Sequence, residues 1–253
     1  MKCKPPWYKK ILFFSQWNIL EKLIFSINIF ITLGLLIYQC VNNHANDWMT
    51  WVAFLANIFN IISVILATKK HISCFIWGIL AVIGFGGVAF GQRLFGNLIL
   101  YWAFYIPAQI LALYLWKKNS NNKIEVIPKH IKGWQIFLTF SILIAFIALF
   151  SWVELLKSFQ EFWFQKLDYY PFTITYILDA TILVLSIVMT IYVWCRFRER
   201  WYVSILVDSC QIALWITIIY KNVNNISAWI MFVSSFSMMT SAIYGVFNWK
   251  KQL

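Results

Sequence analysis

The chain has 253 residues, of which 62% are hydrophobic and only 12% are charged, and its formal net charge is +12. Soluble domains carry about 25% charged residues, so this composition excludes a soluble globular protein and indicates an integral membrane protein. The basic residues lie in short segments beside apolar runs, so the net charge does not indicate binding to nucleic acid. The five cysteines have no C-x-x-C spacing and are interpreted as small apolar side chains rather than as a disulfide or metal framework.

The first apolar run, Leu20–Gln39, follows a basic N-terminus. It is long enough to span a bilayer and no small-residue cleavage site follows it, so we predict a transmembrane helix rather than a cleaved signal peptide. Seven further runs of suitable length follow it. They are Trp51–Thr68, Ile72–Phe90, Leu98–Trp116, Trp134–Val153, Phe172–Trp194, Trp201–Tyr220 and Ile226–Phe247. The sequence therefore predicts an all-α integral membrane protein with eight transmembrane helices.

The basic residues alternate between the two sides of these helices. Of the 21 Lys and Arg residues, 17 fall on one side and 4 on the other. Cytoplasmic loops carry an excess of Lys and Arg, so the alternation predicts that both termini are cytoplasmic. It also supports the helix count, because a missed helix would reverse the pattern beyond it.

The two halves of the chain resemble each other. Each runs as a helix, a short basic loop, a helix with a tryptophan near its start (Trp77 or Trp201), an outer loop and a third helix that ends in Trp-Lys-Lys. Because two three-helix units joined by one connecting helix run in the same direction, we predict two parallel three-helix repeats joined by Trp134–Val153. The predicted division is 1–45 for the N-terminus and one extra helix, 46–118 for repeat one, 119–170 for a cytoplasmic linker, the connecting helix and an outer amphipathic loop, and 171–253 for repeat two.

An acid lies inside the seventh predicted helix. Asp208 follows Trp201 by seven residues, which places both side chains on nearly the same helix face. A carboxylate there costs roughly 2.5–3.5 kcal/mol on insertion scales and is expected to face the bundle interior. An aromatic ring and an acid on one interior face suit a flat, polar-edged, cationic ligand. The alternative is an acid bonded to a neighbouring helix.

Further polar side chains lie within the other predicted helices. Gln109 has Tyr105 one turn before it and Tyr101 a further turn back, and a buried amide there bonds either a neighbouring helix or the edge of a ligand. Asp179 is interpreted as an acid that joins two helices, and Asn57 as a bond between helices. We group Asp179, Tyr101 and Asn57 as structural or gating residues.

Sequence motifs for enzyme chemistry are missing. The three histidines fall in loops, and the chain has neither an H-E-x-x-H motif nor a G-x-x-x-x-G-K-[ST] motif. We therefore predict no catalytic residues, no metal site and no cofactor. The chain cannot drive transport with ATP by itself.

Three stretches resemble the PnuC family of vitamin transporters, over roughly Trp51 to Lys251. The first is R-L-F-G-N-L-I-L-Y-W-A-F-Y-I-P-A-Q before an aromatic end, and the second is L-D-A-T-I-L-V-L-S-I-V, which contains Asp179. The third runs from Trp201 to Asp208 and is similar to W-x-x-W-x-x-x-(N/D). This chain departs from the family pattern at two positions. Position 204 is Ser where the pattern has a second Trp, and position 81 is Ala where the pattern has an Asn in repeat one.

The resemblance implies a plasma-membrane transporter that imports nicotinamide riboside or a closely related vitamin or nucleoside for NAD biosynthesis. The family implies facilitated diffusion by alternating access, with a cytoplasmic kinase that traps the substrate by phosphorylation. The implied substrate-binding residues are Trp201, Asp208, Gln109, Tyr105, Ser204 and Trp77, with Trp201 stacking on the base. Thiamine, riboflavin and deoxynucleosides stay open as substrates, as does the oligomeric state, a homo-oligomer included. The alternative of a different class is an intramembrane enzyme or a non-transporting assembly factor.

Overall fold

The computed structural model describes residues 17–41, 47–118 and 174–250, with a few further positions between 133 and 149. Seven helices long and apolar enough to cross a membrane lie in these ranges. They are α1 Ile19–Val41, α2 Trp48–Thr68, α3 Cys74–Gly91, α4 Phe95–Lys118, α5 Ile174–Cys195, α6 Arg200–Lys221 and α7 Ile226–Lys250. Each corresponds to a predicted span, and every boundary agrees to within three residues.

The eighth predicted span, Trp134–Val153, lies largely outside the described residues. The positions described within it, among them Ser141, Ile142 and Ala145, are helical. The predicted cytoplasmic linker, the outer amphipathic loop and the basic N-terminus also lie outside the described residues.

Glu21 caps the start of helix α1. Asn18 precedes the helix, and the Glu21 carboxylate accepts a hydrogen bond of 2.8 Å from the Asn18 backbone N–H. The same carboxylate pairs with Lys69, at 2.8 Å, and accepts a bond of 3.3 Å from the Tyr244 hydroxyl. The start of the extra helix is therefore attached both to the loop after α2 and to α7.

The middle of α1 makes a second pair of attachments. The Asn28 amide donates to the Ser237 hydroxyl of α7, and its oxygen accepts from the Asn57 amide of α2, each at 2.6 Å. Polar bonds between buried faces are a common means of joining helices in a bilayer. Asn57 therefore lies in a helix–helix contact, and α1 bridges α2 and α7.

Helix α4 contains a widened segment, a π-helix over Ile99–Tyr105. Pro107 follows it closely; a proline has no N–H to donate, and its ring crowds the carbonyl one turn before it. A local change in helical pitch relieves this conflict, and such segments are frequent at functional sites. Tyr101 and Tyr105 both belong to the widened segment.

The two short loops that precede α3 and α6 have the same backbone geometry. The amides of Lys70 and His71 donate to carbonyls three and five residues earlier, and those of Arg196 and Phe197 do the same. Lys70 and Arg196 have backbone φ angles of 60° and 63°, in the left-handed region that residues other than glycine rarely adopt. The match aligns the first residue of α3 with the first residue of α6 and supports the proposed division into repeats.

The tryptophans of the two Trp-Lys-Lys ends make crossed bonds. The indole of Trp116, at the end of α4, donates to the Val193 carbonyl of α5 at 2.9 Å. The indole of Trp249, at the end of α7, donates to the Thr68 carbonyl of α2 at 3.2 Å. Each half thus bonds, through its last helix, to the end of the first helix of the other half.

Candidate functional site

A cavity of ≈ 210 Å³ lies between helices of both halves. Sites for drug-sized ligands have volumes of about 300–1,000 Å³, so this cavity favours a small ligand. Of the six residues predicted to bind substrate, five line it. They are Trp201, Asp208 and Ser204 of α6 and Gln109 and Tyr105 of α4. Tyr101, predicted as a structural or gating residue, lines it as well.

Asp208 is the acid of the cavity and is only 4% exposed. Ser204, one turn before it, donates to its carboxylate at 3.2 Å, and this is its one hydrogen bond with the described residues. A carboxylate can accept about four hydrogen bonds. Asp208 therefore keeps unused acceptor capacity next to the cavity, which is what a ligand with N–H or O–H groups requires.

Trp201 lies on the same face of α6 as Asp208, seven residues before it. The guanidinium of Arg200 lies over its ring, 4.1 Å from the centroid, and the Trp249 ring meets it edge-on at 5.8 Å. A Cβ added at Gly245 would lie 2.6 Å from two indole carbons, so only a glycine leaves room for this ring. The Trp201 indole is thus packed against protein, and stacking on a ligand requires its remaining surface or a movement of Arg200.

The wall formed by α4 carries two tyrosines and an amide. Tyr101 and Tyr105 are ring neighbours with centroids 6.1 Å apart, and both line the cavity beside Gln109. A Cβ added at Gly78 of α3 would collide with the Gln109 amide, so a glycine there makes room for this side chain. The arrangement offers aromatic surface and an amide on the wall of the cavity that α4 forms.

Trp77 is not among the side chains that line the cavity. Its ring packs against Phe59, with centroids 5.7 Å apart. The matched loops explain this position, because they align Trp201 with Phe75 and not with Trp77. Phe75 contacts Trp116 edge-on at 4.8 Å, as Trp201 contacts Trp249, and Phe75 lines the cavity.

Asp179 of α5 holds the beginning of α4. Its carboxylate accepts bonds from the backbone N–H groups of Gly96 and Asn97, at 2.8 and 3.0 Å, and from the Asn97 amide at 2.7 Å. Backbone N–H groups at a helix start have no partner within the helix, so the acid acts as a cap supplied by another helix. Asp179 does not line the cavity.

A chain of hydrogen bonds joins this cap to the cavity. The Gln211 amide nitrogen lies 3.3 Å from the Asn97 oxygen and 3.4 Å from the Tyr101 hydroxyl. The Gln211 oxygen accepts from the Trp215 indole at 3.1 Å. Gln211 lines the cavity and was missed from the sequence, although its position three residues after Asp208 places it on the same helix face.

Other lining residues were also missed. Arg200 and Cys74 face the cavity, although the sequence marks Arg200 only as a loop charge and Cys74 only as a small apolar side chain. Asn60, which the sequence suggests as a bond between helices, faces the cavity too. Asn60 also donates to Ser234 of α7, at 3.2 Å. Within the described ranges, no three His, Cys, Asp or Glu side chains come together as a metal-binding group.

Comparison with known proteins gives consistent results. The chain is 23% identical over 253 residues to the nicotinamide riboside transporter PnuC of Neisseria mucosa, covering 97% of this chain and 86% of that protein. It is 24% identical over 209 residues to the nicotinamide riboside transporter PnuC of Haemophilus influenzae, covering 80% of each. A crystal structure described as the vitamin B3 transporter PnuC covers 98% of this chain, and 97% of that chain, with a TM-score of 0.75 and 22% identity.

The structural match confirms the predicted all-α membrane fold class. The model of the nicotinamide mononucleotide transporter family matches residues 50–251, which leaves residues 1–49, with the extra N-terminal helix α1, and the last two residues outside it. The chain is therefore a multi-pass membrane transporter and not an enzyme, and it belongs to the nicotinamide mononucleotide transporter family.

Proposed function

We propose that this transporter imports nicotinamide riboside or a closely related vitamin or nucleoside across the plasma membrane. The observation that carries the proposal is a small cavity, formed by both halves, that contains one under-bonded acid and several aromatic rings. A pyridinium nucleoside is flat, positively charged and rich in hydroxyl groups. Asp208 offers acceptors for these hydroxyls and an opposite charge, and the tyrosines of α4 offer aromatic surface.

Alternating access is the transport mechanism that this arrangement favours. Transporters built from parallel repeats bind substrate between the repeats and move one repeat against the other. The proposed repeats span 46–118 and 171–253, with 119–170 between them and 1–45 as an addition. The crossed bonds of Trp116 and Trp249 support this division, because each joins the last helix of one half to the last turn of the first helix of the other half, at acceptors that are within one residue of equivalent positions.

Import by facilitated diffusion is expected to make the substrate concentration equal on the two sides of the membrane. In liposomes that contain the purified protein, labelled nicotinamide riboside should reach the outside concentration and remain there, with or without a Na⁺ or H⁺ gradient. The physical reason is that the chain has no nucleotide-binding motif with which to drive transport by ATP hydrolysis. A vitamin kinase and ATP enclosed in the vesicle should raise total uptake, because the phosphorylated substrate is trapped inside. Thiamine, riboflavin and deoxynucleosides serve as the comparison panel.

Two results would contradict this transport proposal. Accumulation above the outside concentration that follows an ion gradient would show coupled transport. Uptake of a panel member and not of nicotinamide riboside would assign a different substrate. Liposomes without protein give the background.

The orientation is proposed from the distribution of charge, with both termini in the cytoplasm. The basic loop between α5 and α6 would then be cytoplasmic, and the loop between α6 and α7 would be outside. In a variant without native cysteines, Asn224→Cys should react with an impermeant thiol reagent on intact cells, whereas Arg198→Cys should react only after permeabilisation. The opposite labelling pattern would place both termini outside.

A further inference from the structure

The indole of Trp201 has almost no free surface, although it lines the cavity: the residue is only 3% exposed. A Cβ added at Gly245 would lie 2.6 Å from Cδ2 and Cε2, the two carbons that both rings of the indole share, so the backbone of α7 lies against a face of the ring. The guanidinium of Arg200 lies over the ring as well, with 4.1 Å between its central carbon and the ring centroid. A planar ligand can therefore stack on Trp201 only if one of these two groups moves away.

Arg200 is the group that can move, because it is a long side chain, whereas Gly245 is part of the backbone of α7. Among the described residues the Arg200 side chain has neither a hydrogen bond nor an ion pair, and its Nε is buried without a partner. Its other neighbours are rings: its central carbon lies 4.9 Å from the ring centroid of Trp249 and 5.9 Å from that of Trp116. One contact between a cation and a ring face changes an equilibrium constant by about 2- to 30-fold, so Arg200 is held on Trp201 weakly enough to be displaced.

The rings around the guanidinium belong to both halves of the chain. Trp116 lies in the last turn of α4, in the first half, whereas Trp201 and Trp249 lie on α6 and α7, in the second. Arg200 therefore makes a contact between the halves, at the end of the cavity that is cytoplasmic in the proposed orientation. A movement of Arg200 away from these rings removes that contact.

A ligand replaces the guanidinium at the smallest cost when it has a planar ring with a positive charge of its own. Such a ring restores both the stacking and the attraction between a cation and the indole face that Arg200 gives up. A neutral ring restores only the stacking. Asp208, on the same face of α6, keeps its acceptors for the hydroxyl groups of the ligand.

We propose that Arg200 covers the stacking surface of Trp201 until the planar ring of a ligand displaces it, and that this exchange loosens the cytoplasmic contact between the two halves. Arg200 is then a positioning residue that couples binding to opening, and it is not a group that binds the ligand. The inference rests on the proposed function and deepens it, because it states how binding in the cavity of one half is felt by the other.

Removing the competing side chain should tighten binding. In calorimetric titration of the full-length protein in neutral detergent, nicotinamide riboside should bind to Arg200→Gln about 2- to 30-fold more tightly than to the natural protein, because no cation has to leave the ring. An arginine with a purely structural role predicts the opposite sign, since its loss disturbs the packing around Trp201. Weaker or unchanged binding by Arg200→Gln overturns the proposal.

A double-mutant cycle separates competition for the ring from repulsion between two positive charges. In a Trp201→Leu background there is no ring to compete for, so the further change Arg200→Gln should leave the affinity within about twofold, the limit for independent sites. Repulsion between Arg200 and a cationic ligand does not depend on the ring. A gain of equal size in both backgrounds would assign the effect to repulsion and overturn the proposal.

Two further variants control for net charge and folding. Arg196→Gln removes one positive charge from the loop before α6, outside the cavity, and should leave the affinity unaltered. Arg200→Lys keeps the charge without the planar group that stacks on an indole, and its gain in affinity should lie between zero and that of Arg200→Gln. If Arg200→Gln does not fold, Arg200→Lys decides the question, and binding no tighter than that of the natural protein overturns the proposal.

The loosening of the contact is measured at Cys74, which lines the cavity, is 2% exposed and is aligned with Arg200 by the matched loops. The other four cysteines are replaced by serine, and an impermeant thiol reagent is added to inside-out membrane vesicles. Nicotinamide riboside should raise the rate of labelling, and Arg200→Gln should show the raised rate without any ligand. Labelling that the ligand slows or leaves unchanged contradicts the loosening and overturns the proposal.

Failure of this inference and failure of the proposed function give different results. Binding of nicotinamide riboside to the natural protein, with no gain in Arg200→Gln, overturns the exchange alone. Absence of riboside binding overturns riboside import alone, and the same cycle is then measured with thiamine, whose thiazolium ring is also planar and positively charged. Absence of binding of both ligands, to the natural protein and to Arg200→Gln, overturns both.

Discussion

Replacing Asp179 with alanine should lower the free energy of unfolding by about 3–5 kcal/mol, the scale for breaking a buried charged contact. Three donors of Gly96 and Asn97 would lose their only acceptor on α5, and all of them are buried. The start of α4 would separate from α5, and Gln211 would lose the partner that Asn97 holds in place. The measurement is the melting temperature of the purified variant in detergent.

Asp47 provides a matched control for this stability effect. It caps α2 by accepting bonds from the Met49 N–H and the Thr50 hydroxyl, both of which belong to the helix that it caps. Asp47→Ala should therefore cost about 1 kcal/mol, the usual value for a lost helix cap. Asp179→Asn, which keeps one acceptor oxygen, should fall between the two alanine variants. Equal melting temperatures for Asp47→Ala and Asp179→Ala would contradict the role of Asp179 as a link between helices.

Replacing Asp208 with asparagine should weaken binding of the transported ligand by about 1.5–3 kcal/mol, or roughly 10- to 150-fold, while the protein still folds. The change removes the charge and keeps the shape, and Ser204 remains able to donate to the new amide oxygen.

Trp201→Ala should weaken binding by about 1–3 kcal/mol through lost aromatic surface. It should also lower stability, because Arg200 and Trp249 lose a packed ring.

The readout that decides this prediction is affinity and melting temperature on the same preparations. Asp47→Asn makes the same change of charge outside the cavity and should leave affinity unaltered. If Asp208 only joins helices, Asp208→Asn lowers the melting temperature and leaves affinity as it was. Trp201→Phe keeps an aromatic ring at this position and separates loss of stacking from loss of packing.

The helices could be predicted closely because a bilayer imposes a simple rule on the sequence. A segment must stay apolar for about 20 residues to span, so hydropathy marks each helix directly. The π-helical segment of α4 could not be predicted in this way, since it leaves the composition of the helix unchanged. Pro107 was its only signal, and a proline alone indicates a local disturbance without specifying its form.

The candidate site was predicted on α6 and α4 but not at its cationic end. Asp208 stood out because an acid is rare in a membrane helix, and Gln109 because a buried amide needs a partner. Trp77 was matched to Trp201 because both are tryptophans, whereas backbone bonds in the preceding loops make Phe75 the equivalent residue. Arg200 resembled one more loop charge, since nothing in the sequence shows that two distant tryptophans, Trp116 and Trp249, join its neighbour Trp201 around the guanidinium.

The crossed indole bonds have a consequence for how such a chain can arise from a single half. A lone copy of either half would leave the indole N–H of its terminal tryptophan without its acceptor, at a cost of about 1–3 kcal/mol if the group stays buried. A second copy, placed face to face, supplies the missing carbonyl and receives the same bond in return. Trp116 with Val193, and Trp249 with Thr68, reproduce that exchange within one polypeptide. The covalent connection therefore secures a pairing that two separate halves would have to find by encounter.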